Sequence, residues 1–563
     1  MIYPRRQAWF ASKIVQIAFV MVLLSVSAHV SVTRAHMGIP EDWTHHRVHF
    51  NTTQIRQHPE IVALEPRAAL HLYREAMNTP VPGAFVAPFA AASSSSAPGH
   101  RDWSISLGAG FVPFGQYPAK WRSDPTLPVS VLNCSTDYVI FPINAAGANG
   151  GQATLVGLTN LYSGGTNPIC TGTQPSFLFS FNTSTITNGR ILTSPVLSLD
   201  GKKVAFMETA VNNPKSTVLH VLTLPTTVNA NGTSATMSVP ATGMVNVPIV
   251  ANSSARSSPW VDYTNDILYV AADDGKLYRV NTVFRGTPTL DTTAPWPKTV
   301  NANSVFTSPT LDPVTGNAFL GAGNGRVYSV NVTTPGTVTQ IQIGTTGNPG
   351  AGVLDSPFID VGSGTVFAVS SNDTTSATHG AVVVQASTST LAEVSRVHIG
   401  LGSTGGTNVS VYDGDFDNAY FANPSTGHLL MCGTGATDTT PQGYLLGFDA
   451  NSHLLPDPAP TPFPISTNAS ARCGPITEFY NANLAGGPYD FFFWGVTRNC
   501  VGTNGCIMSR VNGAAGPTPV QENGGTSGII IDNNSTQGGA SSIYFSSQQN
   551  PRNAVKLTQL NLN

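Results

Sequence analysis

Short apolar runs recur along most of this chain, each closed by a polar turn. The clearest set is SSPWVDYTNDILYVAADDGKLYRVN, Ser257 to Asn281, where three β-rich runs are separated by DYTND and DDG. That pattern predicts three short strands joined by turns, and strands of this kind cannot bury both faces without neighbours. The same grammar (Ser-Pro, a short strand, Asp, a turn, a β-rich strand) returns in TSPVLSLDGKKVAFME (Thr193 to Glu208), TSPTLDPVTGNAFLGA (Thr307 to Ala322) and DSPFIDVGSGTVFAVS (Asp355 to Ser370). The serines at 194, 258, 308 and 356 are 64, 50 and 48 positions apart, and a period near 50 with strands inside each unit predicts propeller blades.

Weaker copies extend the series: NVSVYDGDFDNAYFAN (Asn408 to Asn423), CGPITEF with YDFFFWGV (from Cys473 to Val496), and TSGIIIDNNSTQGGASSIYFSS (Thr526 to Ser547). A unit around DYVIFPI, ATLVGLTNLY and PSFLFSFNTS completes the count. The expected fold is therefore all-β, an eight-bladed β-propeller of four-stranded antiparallel blades, with seven blades as the alternative. Asp200, Asp262, Asp312, Asp360, Asp413 and Asp532 recur at the end of the first strand, where a carboxylate can accept backbone N–H groups of the next turn. The chain ends shortly after a third strand, AVKLTQLN, while DWSISLG (Asp102 to Gly108) is a spare strand ahead of the first blade. The spare strand is expected to complete the last blade and leave no open edge.

Ahead of the ring the pattern changes. Arg5, Arg6 and Lys13 precede an apolar run from Ile14 to Val26 that is too short to span a bilayer, so residues 1–35 read as a signal peptide, cleaved after Ala28 or Ala35. The mature chain is expected to be secreted or at the cell surface, with no membrane span. Residues 36–100 form a leader: PEIVALEPRAALHLYREAMN (Pro59 to Asn78) places Ile61, Leu64, Ala68, Leu72 and Ala76 near helical spacing, and FAAASSSSAPGH reads as a linker. The propeller spans 101–563.

Composition narrows the partners. Charged residues are 10% of the chain, against about 25% in an average domain, and the formal net charge is −3, so there is no electrostatic footprint for nucleic acid. Six cysteines in an exported chain can all pair, and their order suggests Cys134 to Cys170, Cys432 to Cys473 and Cys500 to Cys506. Six cysteines allow 15 pairings, and the short loop RNCVGTNGC points most directly to the last bridge.

These units resemble the blades of quinoprotein-like and surface-layer-like repeat propellers. The fuller set, with DWSISLGAG, YPAKW and ILTSPVLSLDGKKVAF, is similar to secreted bacterial propeller proteins of uncharacterised function. The resemblance runs from about Trp103 to the C-terminus and implies architecture rather than activity. Quinoprotein dehydrogenases carry a docking Trp late in each blade and adjacent cysteines beside the cofactor; this chain has neither, which argues against pyrroloquinoline quinone.

Candidate ligand-binding residues come from the loops expected between second and third strands: Glu208, Asp273, Asp274, Arg326, Asp373, His379, His428, Arg498 and Arg552. A carboxylate and histidine set of this kind could carry acid–base hydrolysis, but no spacing fixes its geometry. Asp413, Asp415 and Asp417 in DGDFDN offer oxygens at alternate positions, as a calcium loop begins, without the Gly and distal Glu of a full one. A terminal His29 or His36, with His45, His46 and His49 nearby, raises copper against the commoner reading of solvent-facing histidines. The loop face is neutral and rich in Asn, Ser, Thr and Gly, so the expected role is a non-catalytic module for a glycan or protein ligand, with no cofactor. The alternative is an extracellular enzyme, a degenerate quinoprotein or a glycan hydrolase or lyase.

Overall fold

A computed structural model of the chain describes residues 39–50, 55–56, 58–66, 68, 100–122, 134–165, 168–302, 304–345, 352–373, 380–403, 409–458, 460–481, 489–512, 517–532 and 542–558. Eight four-stranded antiparallel sheets follow one another around a ring, three of them extended by short added strands. We letter the strands A to D outward from the axis. The innermost A strands are Ala119–Arg122, Val196–Leu197, Trp260–Asp262, Thr310–Leu311, Phe358–Asp360, Asp415–Phe416, Thr477–Asn481 and Ile530–Asp532 for blades 1 to 8. The B–C and D–A loops share what we call the upper face, and the A–B and C–D loops the lower face.

The ring closes as the spare strand predicts. His100–Ser106 pairs antiparallel with Asn553–Thr558, strand C of blade 8, so the outermost strand of the last blade comes from the beginning of the ring. Asp102 anchors it through Lys556 at 2.7 Å, and Trp103 donates its indole N–H to the carbonyl of Leu161 in blade 1. The cysteines pair as their order suggests, Cys134–Cys170, Cys432–Cys473 and Cys500–Cys506, with Cα separations of 5.6, 6.3 and 6.0 Å.

The Ser-Pro repeat has a structural reason. Ser258 Oγ accepts the Ser194 N–H at 2.9 Å, Ser308 Oγ accepts the Ser258 N–H at 2.7 Å, and Ser194 Oγ accepts the Tyr117 N–H at 2.9 Å. These serines thus link the A strands of blades 1 to 4 at the upper end of the channel. The proline that follows each serine keeps its backbone extended into strand A.

The aspartates divide. Asp200, Asp262, Asp312 and Asp360 accept turn N–H groups from Lys202, Asn265, Val314 and Gly362. Asp413 and Asp532 instead pair with cations at the axis. Blade 6 also departs from the expected register. AYFA is a helix, Asn418–Ala422, capped by Asp417, and strand B is His428–Thr434, so His428 lies at the lower face and not in a B–C loop. The Asp417 carboxylate accepts the N–H groups of Tyr420 and His428, a cap that helix competes for successfully against a strand.

The leader carries a helix within the stretch of helical spacing. It covers Glu60–Leu64 and ends where Glu65 turns extended ahead of Pro66, as a residue before proline tends to do. Leu72 and Ala76 lie outside the described residues, as do the signal segment and the Ser-rich linker. Among the described residues no helix is long and apolar enough to cross a membrane.

Candidate functional site

The centre of the ring is occupied by the leader. Ile39–Glu41 runs up the channel antiparallel to strand A of blade 1, with Ile39 opposite Arg122 and Glu41 opposite Lys120. A 3-10 turn, Trp43–His46, reverses the chain; Asp42 caps it through the Thr44 N–H and reaches the Leu197 N–H of blade 2. Val48–His49 then descends parallel to strand A of blade 5. The chain leaves at the lower face, where the Thr264 hydroxyl holds the carbonyls of Ala63 and Leu64.

Apolar contacts carry much of this insertion. Trp43 meets Trp260 edge to face with ring centroids 5.6 Å apart, and Trp43, Val48, Phe50, Ile55 and Ile61 join the core of blades 2 to 5. Each such side chain contributes about 1.5–3 kcal/mol on burial. His46 stacks on Tyr117 at 4.9 Å, and burial, then the nearby Arg47 and His49, push its pKa down to about 3, so the ring is neutral. His45, His46 and His49 are thus each held by separate neighbours and do not form a solvent-facing cluster.

Charge is matched across the channel. On the blade 1 side, Glu41 accepts from Arg122 at 2.9 Å. On the opposite side Arg47, 2% exposed, meets Asp355 at 2.8 Å and Asp413 at 2.5 Å and donates to the Ser356 carbonyl at 3.0 Å. Asp415 lies near it, and Glu478 and Asp490 extend the acidic side beyond Asp415. Burial is the main force raising their pKa values, reinforced by mutual repulsion; Asp415 rises to about 7 although it accepts N–H bonds from Phe416 and Glu478. Burial also raises Asp413 well above the carboxylate range, against the pull of Arg47.

The upper mouth is crossed by residues 114–117. Gln116 Oε1 accepts from the hydroxyls of Ser194 and Ser258, each at 2.9 Å, and its carbonyl accepts the Gly528 N–H of blade 8 at 2.7 Å. Phe114 packs edge to face on Tyr412, 5.3 Å between centroids. Gly115 has φ +79°, and a Cβ there would strike the Tyr412 ring, so only glycine lets the segment cross.

The residues expected at the loop face are scattered. Glu208 is buried in strand B of blade 2, where it accepts from the Thr185 N–H and hydroxyl and meets His220 at 3.0 Å. Asp273 accepts from Ser254, Asp274 from the Tyr278 hydroxyl, and Arg326 donates to Gln342. Asp373 meets Arg396 at 2.7 Å and His398 at 2.6 Å, and the far side of that imidazole meets Asp457 at 2.5 Å. Arg552 covers the Phe111 ring, Arg498 is exposed, and His379 lies outside the described residues. His428 bonds Asp417 at the lower face. The three aspartates of DGDFDN serve separately: Asp413 takes Arg47, Asp415 takes two backbone N–H groups, and Asp417 caps a helix. Among the described residues no group of three or more His, Cys, Asp or Glu is placed to hold a metal ion.

The convergent groups, Glu41, Arg47, Asp355, Glu478 and Asp490, escape a reading built on loops. Their signal is the leader's own EDWTHHR, where a carboxylate and a guanidinium stand six residues apart in a charge-poor chain.

No protein-family model matches the chain, and no curated protein matches it. Solved structures do. The chain is similar to BamB from Moraxella catarrhalis, at 10% identity and TM-score 0.41, over 74% of this chain and 95% of that one. It is also similar to the WD40 domain of Toxoplasma gondii coronin, at 12% identity and TM-score 0.36, over 64% and 80%.

Proposed function

We propose that the protein is an exported, non-catalytic propeller that binds a protein partner on its upper face. Export is supported by the basic-then-apolar pattern of residues 1–35 and by three disulfides, which persist in oxidising compartments. The observation that carries the binding reading is the crossing at residues 114–117. The segment is held by Ser194 and Gly528 on either side of blade 1 and reaches Tyr412 of blade 6, so protein covers part of the mouth, and broad surfaces suit macromolecules where concave pockets suit small ligands. The charged groups of the channel are each engaged by another protein group, so a substrate reaches them only if the leader departs.

Photocrosslinking tests this. A photoreactive residue is placed at Arg326 or Arg498 on the upper face, and at Val314, an exposed position in the A–B turn of blade 4, as control. Incubated with secreted and surface extract from the source cells, the two upper positions are expected to yield the same discrete protein adduct and Val314 none. Equal labelling at Val314, or turnover of an oligosaccharide or quinone substrate by the purified protein, overturns the reading.

A further inference from the structure

We infer that the central channel is a peptide-binding site whose resident ligand, leader residues 39–50, is exchangeable, and that a second copy of this chain can supply it. Four observations lead there.

The ring does not need the leader for closure. The fourth strand of blade 8 is His100–Ser106, and all eight four-stranded blades are built from residues 100–558. The leader is an addition to a finished ring.

It also goes in and out by one face. Ile39 lies beside Arg122 at the lower end of blade 1, while the His49 carbonyl accepts from the Val361 N–H at the lower end of blade 5. Such a loop withdraws without threading.

Its contacts are those of recognition. Backbone pairing adds a strand to the inner edges of blades 1 and 5, and side chains set the register: Glu41 on Arg122, Trp43 on Trp260, Arg47 on Asp355 and Asp413. Strand addition with alternate side chains in pockets is a general mode of peptide binding. The carboxylate side and the guanidinium side cannot be interchanged, because each meets its opposite charge across the ring.

Finally, residues 69–99 join the leader to the closing strand; a tether of this length spans on the order of 100 Å when extended, enough to reach a neighbouring ring. An empty channel would leave Asp355 and Asp413 without Arg47, so departure of one leader is favoured when another takes its place. Occupancy by the chain's own leader is independent of protein concentration, whereas occupancy by a second copy rises with it, so exchange between copies is favoured in concentrated solution.

The test uses the full chain with a specific protease site replacing Ser93–Ser96. After cleavage, a fluorescent synthetic peptide of residues 39–68 is added. Incorporation is expected, with release of an equal amount of leader fragment, and the Arg47→Glu peptide is expected to incorporate at least about tenfold less. No incorporation over days in folded protein overturns the inference, as does equal incorporation of both peptides. For the second copy, tagged and untagged uncut chains are mixed near millimolar concentration and read by native mass spectrometry. Mixed dimers that dissociate on dilution are expected, and monomers alone overturn the assignment to a second copy.

Discussion

Two buried ionic clusters face each other across the axis, and they settle their charge differently. Between blades 1 and 8, Lys120, Arg122 and Lys556 stand among Asp102, Asp137, Asp532 and Glu41, with Lys120 at 2.9 Å from Asp532 and Tyr162 donating to Asp532 at 2.6 Å. Burial works against ionising Asp532, yet Lys120 and Arg122 outweigh it and its pKa falls below the carboxylate range. Between blades 5 and 7, Asp355 and Asp413 hold a guanidinium lent by the leader, Asp415, Glu478 and Asp490 continue the acidic side, and burial pushes four of these five carboxyls upward. Cations built into the ring make the first cluster self-sufficient. The second depends on a segment that supplies no strand of any four-stranded blade, which is why the leader's seat is also the site with the most to gain from occupancy.

The largest break in this comparison is Arg47→Ala. Removing one partner from a buried ion pair costs about 3–5 kcal/mol, so urea unfolding at pH 7 should show that loss, shrinking toward pH 5 as the freed carboxyls take up protons. A variant as stable as the parent at both pH values would show that the guanidinium does not hold the acidic side.

Opposite pH responses come next. Asp415 has a folded pKa of about 7 against an ordinary 3.8, so the folded state binds its proton more tightly. Its contribution therefore favours folding below about pH 4 and is lost as pH rises through 7, a change on the order of a few kcal/mol. Asp532 has a lowered folded pKa, so its contribution is present at neutral pH and lost as pH falls through that value. Unfolding curves from pH 4 to 8 should flatten in Asp415→Asn, whereas Asp532→Asn should lose stability at neutral pH. Parallel curves for the two variants would remove the distinction.

Tyr162→Phe is the finer probe. It deletes hydroxyl bonds to Asp532 and Asp137 but leaves Lys120 and Arg122 in place, so about 1–2 kcal/mol is expected by thermal unfolding. A loss as large as that of Arg47→Ala would mean that the closure cluster is no better compensated than the channel.

Much of the architecture could be read along the chain. Ser194, Ser258, Ser308 and Ser356 mark one structural unit each, and the first three join the A strands of neighbouring blades at one height of the channel. DWSISLG was legible as the closing strand, since it is a strand ahead of the first unit with no place in it, and it pairs with Asn553–Thr558. Blade 6 was misread because AYFAN carries residues suited to a strand, while the Asp417 cap that makes it helical is a local hydrogen bond that periodicity does not report. The candidate site was hardly legible. Loop polarity pointed outward to Asp373, Arg326 and their neighbours, while the acidic and basic groups of the channel, Glu41, Arg47, Asp355, Glu478 and Asp490, come from a leader and two distant blades.

Strand period, turn chemistry, cysteine order and the spare strand are local or regularly repeated properties, and the sequence by itself determined them. Where the leader goes is a different kind of fact. Residues 39–50 carry too few positions for any period, and their partners, Arg122, Trp260, Asp355 and Asp413, lie about 80 to more than 360 positions away. Only when eight blades close around an axis do those groups line one narrow channel, with negative charge on one wall and positive on the other. Tertiary structure decided the plug because complementarity of charge and shape across the channel does not exist until the ring is complete.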